Sequence, residues 1–250
     1  MNKKIDFLGF EIDNLSMDET VQKINNHIID GDKIQHVVIN VAKFINSGKN
    51  ELLKESITSA DIINIDGAGI IYGMKILGLR PIERVTGIDL MINLLSLANK
   101  NRYSVYFLGA KDSVLNKMLH NIKLKYPNLV IAGYRNGYWD NDNQEQDVVE
   151  TINKVAPNIV FVGISSPKKE LFIKQYKNEI NYNIIMGVGG SFDVLSGKTS
   201  RAPIFMQNYG MEWAYRIYQE PIRMWKRYLT TNSSFLLRIS FEYIKKLLKK

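Results

Sequence analysis

Along residues 1–195, short apolar runs alternate with stretches whose apolar positions recur at helical spacing. The runs His36–Asn40, Asp61–Ile65, Tyr103–Leu108, Leu129–Tyr134, Asn158–Val162 and Asn183–Met186 have the length of strands. Their near-continuous apolar character is that of strands buried on both faces. Between them the spacing predicts helices near 18–29, 50–59, 67–77, 87–99, 112–126, 144–155 and 168–179. Ser16 with Glu19 makes a capping box for the first of these, and Thr86 with Asp89 makes one for the fourth. Pro127 and Pro157 stand just past the ends of two others. Strands alternating with helices in this way predict an α/β fold with a mainly parallel sheet covered by helices on both faces.

The pattern changes after Gly197, and Ser200-Arg201-Ala202-Pro203 marks the change. An α/β core over 1–196 and a helical appendage over 197–250 are therefore expected. In its last stretch, Leu236, Leu237, Phe241, Tyr243, Ile244, Leu247 and Leu248 fall on one helical arc. Arg238, Lys245, Lys246, Lys249 and Lys250 fall on the other, which suits a helix lying in a membrane interface, packed on its own domain, or packed on a second subunit. Charge sharpens the division. Residues 196–250 hold 11 Lys or Arg against 3 Asp or Glu, and the remainder is balanced at 22 of each, so the tail carries the whole formal charge of +8. Such asymmetry points to an anionic membrane or a polyanionic partner. The chain has no cysteine, which excludes disulfide and thiolate-metal chemistry and leans towards a reducing compartment. Asp6 and Glu11 interrupt any signal-peptide core, and no apolar run reaches the roughly 20 residues of a spanning helix. A cytoplasmic protein, peripheral on the inner membrane face, is the expectation.

In an open α/β sheet, ligands bind beyond the carboxyl ends of the strands. The residues there are Asn40, Asp66-Gly67-Ala68-Gly69, Gly109-Ala110-Lys111-Asp112, Gly163-Ile164-Ser165-Ser166-Pro167 and Gly187-Val188-Gly189-Gly190-Ser191-Phe192-Asp193. Glycine turns opening helices offer backbone N–H groups to an anion, but none of these is a Walker A loop or a complete dinucleotide fingerprint. Asp66, ending an apolar strand and followed by Gly67 and Gly69, reads equally as a general base for a sugar hydroxyl or as a helix N-cap. Asp140-Asn141-Asp142 matches an Asp-x-Asp metal pattern, yet before an acidic helix its carboxylates are better read as caps. His27, His36 and His120 have no metal or triad spacing. No metal and no cofactor is expected.

Ordered motifs over nearly the whole chain resemble the WecG/TagA/CpsF glycosyltransferases (glycosyltransferase family 26). They are Asn40, Asp66 to Gly69, Arg84 to Leu90, Phe107 to Ala110, Gly133 to Tyr138, Pro167 to Glu170 and Gly187 to Asp193. Gly210 to Arg216 followed by Glu220 to Leu229 is the most specific of the set. The resemblance implies a Rossmann-like, metal-independent, inverting enzyme. It would pass N-acetylmannosamine, its uronic acid or glucose from UDP to a polyprenyl-diphosphate-linked saccharide in teichoic acid or surface-polysaccharide assembly. It implies Asp66 as the base and Asn40 and Arg84 as donor ligands. Gly109, Tyr138, Gly163, Lys169, Gly189, Gly190 and Asp193 are further donor-site candidates. The basic appendage would close over the site and bring Arg216, Arg223 and Arg227 to the diphosphate, since Arg forks bind phosphate oxygens bidentately. Two positions depart from the usual pattern: Val38 stands for a threonine and Lys169 for a glutamine, which points to an altered donor. A basic nucleic-acid-binding protein is the alternative, from Trp213, Tyr215, Tyr218, Trp225 and Tyr228 among the tail's cations. Those aromatics follow a helical rhythm and no nucleic-acid motif accompanies them, so nucleic acid is not expected as a partner; a homo-oligomer remains compatible with the sequence.

Overall fold

The computed structural model describes residues 4–139 and 142–248, with Asp142, Asn143 and Arg223 described as backbone only. Six strands form one wholly parallel sheet: β3 (Ile34–Ile39), β4 (Ile62–Ile65), β5 (Ser104–Gly109), β6 (Val130–Arg135), β7 (Ile159–Gly163) and β8 (Ile184–Gly187). Their order is β4-β3-β8-β7-β5-β6, so the central strands β3, β8 and β7 end side by side. All six are the strands expected from the apolar runs, each shifted by one or two residues. An antiparallel hairpin of β1 (Lys4–Phe7) and β2 (Phe10–Asp13), unforeseen in the pattern, stands apart. Asp13 ties it to the sheet: its carboxylate accepts from Ile63 N–H at 2.9 Å and pairs with Lys23 at 2.9 Å.

Helices cover both faces because strand residues alternate between two apolar layers. One layer joins β-strand residues such as Ile62, Phe107 and Met186 to α1 (Met17–Asp30), α5 (Gly87–Asn101) and α6 (Asp112–Lys125). The opposite face packs on α2 (Val41–Ser47), α3 (Glu51–Thr58), α4 (Ala68–Ile76), α7 (Asp142–Val155) and α8 (Lys168–Tyr176). The Ser16–Glu19 capping box forms in both directions. Thr86 caps α5 by accepting from Asp89 N–H, but the Asp89 carboxylate turns to Arg201 instead of returning to the cap backbone.

The chain then runs through α9 (Ser191–Leu195), α10 (Ile204–Asn208), α11 (Glu212–Gln219) and a single long helix, α12 (Pro221–Leu247). Phe235 and Ile239 of α12 are buried in the same apolar cluster as Phe7, Phe44 and Met74, so this helix is keyed into the core. Gly73 of α4 makes the room, since a Cβ there would stand 2.7 Å from the Phe235 ring. The arc from Leu236 to Leu248 picked out by the sequence pattern is exposed instead. Among the described residues no helix is long and apolar enough to cross a membrane.

Candidate active site

A cavity of about 850 Å³ opens beyond the carboxyl ends of β3, β4, β5, β7 and β8, where a parallel sheet presents its loops. Asn40, Asp66, Tyr138, Gly163, Lys169, Gly189, Gly190 and Asp193 line it from the sheet side, and Arg216 and Arg227 line it from α11 and α12. Residues nearly two hundred positions apart in the chain thus meet in one space. Of the remaining expected residues, Gly109 lies outside the lining. Its φ of 140° and a would-be Cβ only 2.4 Å from the Gly163 backbone make glycine necessary for β5 and β7 to converge. Arg84 is also outside the lining: it donates to Glu212 at 2.5 Å and to the Gln207 carbonyl at 3.3 Å, both on the C-terminal segment. The Arg223 side chain and Asp140-Asn141 lie outside the described residues, as does the Asp142 side chain. Among the described residues no three His, Cys, Asp or Glu side chains gather as a metal site would require.

Asp66 follows β4, and its backbone N–H donates to the Ile39 carbonyl. The N-cap of α4 is Gly67, without a side-chain bond, so the Asp66 carboxylate is not spent on capping that helix. It accepts instead from Gly87 N–H, at 3.3 Å, in the first turn of α5. Asn40 caps α2 by accepting from Lys43 N–H at 3.0 Å. Asp193 pairs with Lys198 at 2.8 Å, and the Lys198 ammonium is held above its ordinary range first by that bond. Tyr138 stands exposed after β6, beside a Trp139 whose ring lies 4.1 Å beneath Lys168 Nζ.

Two groups were not singled out by the sequence pattern. Lys43, in an apolar stretch three residues after Asn40, is buried at the cavity wall and donates to the Val38 carbonyl at 2.9 Å. Glu170, from α8, is buried between Lys43 at 3.0 Å and Lys169 at 3.4 Å. Burial alone would raise the Glu170 carboxyl, but the two ammonium groups outweigh it and hold it down to about 2. Across the rim, Arg201 grips Asp89 through two bonds of 2.6 Å. Burial would raise the Asp89 carboxyl too, and it is overcome by Arg201 and the Thr86 hydroxyl. With Arg84–Glu212, this pair fastens the C-terminal segment beside the cavity. Lys43 carried no signal, and Glu170 only its place in the Pro167–Glu170 motif, because charged residues in helical stretches ordinarily face water.

Against known proteins, residues 5–249 match the model of the Glycosyl transferase WecG/TagA/CpsF family. The chain is 35 % identical over 182 residues to an N-acetylglucosaminyldiphosphoundecaprenol N-acetyl-beta-D-mannosaminyltransferase of Bacillus spizizenii, covering 73 % of this chain and 69 % of that one. It is 30 % identical over 226 residues to a protein of the same name from Staphylococcus aureus, covering 90 % and 86 % respectively.

Proposed function

Because the chain belongs to the WecG/TagA/CpsF glycosyltransferase family, we propose that it moves a sugar from UDP to a polyprenyl-diphosphate-linked saccharide with inversion. N-acetylmannosamine or a related hexose or uronic acid is the sugar, and the acceptor is of the class named for the two relatives. The observation that carries the reading is a half-buried Asp66 sharing one cavity with Arg216 and Arg227. A hydroxyl of the acceptor attacks C1 of the donor sugar as the bond from C1 to the UDP oxygen breaks. Asp66 takes the hydroxyl proton, and the Gly87 N–H steadies its carboxylate for that task. UDP departs with its developing charge met by Arg216 and Arg227 and by backbone N–H groups of Gly189 and Gly190. The two guanidinium groups do here what a divalent ion does in other nucleotide-sugar transferases, so the reaction runs without metal.

The lipid carrier requires the enzyme to work at a membrane surface. Support comes from α10 to α12, where Phe205, Tyr209, Leu229, Leu237 and Phe241 are exposed among Arg and Lys. An apolar face interleaved with cations suits an anionic bilayer, into which the rings and leucines insert while the cations meet headgroups. The enzyme is thus peripheral, on the cytoplasmic face where UDP-sugars are made available. The test is a screen of UDP-N-acetylmannosamine, UDP-N-acetylmannosaminuronic acid and UDP-glucose against a polyprenyl-diphosphate-N-acetylglucosamine analogue, with chelator present. Transfer from at least one donor, with an inverted anomeric centre, is the expected result. No transfer from any of them, or transfer abolished by the chelator, would overturn the reading.

A further inference from the structure

Two buried lysines share one carboxylate at the floor of the cavity. Lys43 is satisfied by the Val38 carbonyl at 2.9 Å and Glu170 at 3.0 Å. Among the described residues Lys169 has only Glu170, at 3.4 Å, and is 4 % exposed. An ammonium carries three donors, so most of its hydrogen-bonding capacity meets no protein partner among the described residues. Its stem lies under the turn after β8, where a Cβ on Gly187 would meet it at 2.6 Å, and its Nζ lies 4.0 Å from the Cβ position of Gly189. Lys169 lines the cavity. Glu170 balances one of the two cations and leaves one over. Asp66 acts on Lys169 through space, with no hydrogen bond between them.

We infer that the Lys43–Glu170–Lys169 cluster is an anion subsite in the cavity floor, distinct from the arginines of α11 and α12. In it, Lys169 Nζ receives an anionic oxygen of the donor. This rests on the donor-site reading and sharpens it: the oxygen belongs to the diphosphate or to a carboxylate on the sugar, and the two give different experimental signatures. A cation buried with too few partners is costly, and the Lys169 ammonium is accordingly pulled down to about 8, first by burial and next by Lys43. Glu170 and Asp66 act in the opposite sense. The remaining charged groups of the lining are Lys111, Lys168, Asp193, Lys198, Arg216 and Arg227. An anion arriving beside Lys169 favours its charged form, so binding near pH 8 draws in a proton.

The test is titration calorimetry of the full chain at pH 8 in two buffers of different ionisation enthalpy. The ligands are UDP, UDP-N-acetylmannosamine and UDP-N-acetylmannosaminuronic acid, and Lys169→Gln is run beside the wild type. Uptake on the order of half a proton per ligand is expected. Affinity should fall roughly 10- to 100-fold in Lys169→Gln, as for loss of a charge-assisted bond. Uptake with all three ligands assigns the oxygen to the diphosphate, and uptake with the uronate alone assigns it to the sugar. Wild-type binding without uptake, or uptake retained in Lys169→Gln, would overturn the subsite while leaving the donor site standing. Wild-type chain that binds none of the three would remove both. The wild-type uptake needs no variant, so poor folding of Lys169→Gln leaves the idea open to refutation.

Discussion

The sharpest structural perturbation is Phe235→Ala, because one ring fastens α12 to the body. The Phe235 ring is 4 % exposed and meets Phe44 edge-on at 5.6 Å and Phe7 at 6.4 Å. It also closes over Gly73, where no side chain could refill the space. Truncating a buried Phe costs about 3–5 kcal/mol when the neighbours cannot collapse. That equals roughly a 10²- to 4 × 10³-fold shift in an opening equilibrium, against a global stability on the order of 5–15 kcal/mol. The other large apolar groups that α12 buries are Met224 and Ile239. Hydrogen exchange in Phe235→Ala should therefore accelerate roughly 100-fold or more along α12, with β3, β7 and β8 changing far less. UDP affinity should fall with it, since Arg227, Thr230 and Thr231 on this helix line the cavity. Unchanged exchange in α12 would refute the anchoring role. One cooperative unfolding of every segment together would refute the division into a core of 1–196 and an appendage of 197–250.

Asp66→Asn should bind UDP nearly as the wild type does and transfer sugar roughly 10²- to 10⁴-fold more slowly; wild-type turnover would remove Asp66 as the base. Replacing Leu237 and Phe241 with Ser should weaken flotation with anionic vesicles while UDP binding in solution is retained; undiminished flotation would remove this face from the membrane contact. Glu170 is held at about 2 against an ordinary 4.5, so its contribution is present above pH 4.5 and is lost as pH falls through 2. At about 1.4 kcal/mol per pKa unit that contribution is roughly 3 kcal/mol. Denaturant unfolding of Glu170→Gln should show lower stability at pH 7 and a flatter decline between pH 4.5 and 2, and a wild-type slope there would contradict the assignment.

The sheet was legible because strands buried on both faces must be apolar at nearly every position. Six such runs separated by helical spacing admit few other folds, and all six formed a sheet. The hairpin at Lys4–Asp13 was not legible: its strands have four residues each, and its turn is Leu8-Gly9, without the Asn-Gly or Asp-Gly signal of a two-residue loop. In the tail, the helical period correctly marked an amphipathic stretch, yet the chain buries Phe235 and Ile239 and leaves the more continuous Leu236–Leu248 arc in solvent. Periodicity reveals that a helix has an apolar side; it does not say which partner that side meets. At the site, position after a strand sufficed to bring forward Asn40, Asp66, Gly163 and Gly189. Lys43 and Glu170 depend on two helices distant in sequence meeting beneath the cavity, and no local pattern records that meeting.

Arg84 poses the remaining question about the site, because resemblance assigns it to the donor while Glu212 holds it at 2.5 Å outside the cavity lining. Two Arg–carboxylate pairs cross between body and tail in opposite senses: Arg84 reaches to Glu212, and Arg201 reaches back to Asp89. One pair would suffice as a clasp, and the Arg201–Asp89 pair is the bidentate one. Arg84–Glu212 makes a single side-chain bond and is the pair that can exchange. A diphosphate entering the cavity competes with Glu212 for the guanidinium and is repelled by the Glu212 carboxylate. The pair is partly buried, so breaking it costs more than the roughly 1 kcal/mol or less of an exposed one, and a diphosphate with its larger charge is what can meet that cost. Glu212→Gln should therefore strengthen UDP binding by about 5-fold or more, because the competing charge is gone while Arg201–Asp89 still holds the tail. The measurement is the Kd for UDP at low salt, with hydrogen exchange in α11 as the control. Weaker binding with faster exchange in α11 would show that Glu212 is a strut of the tail and that Arg84 serves it there, not at the donor.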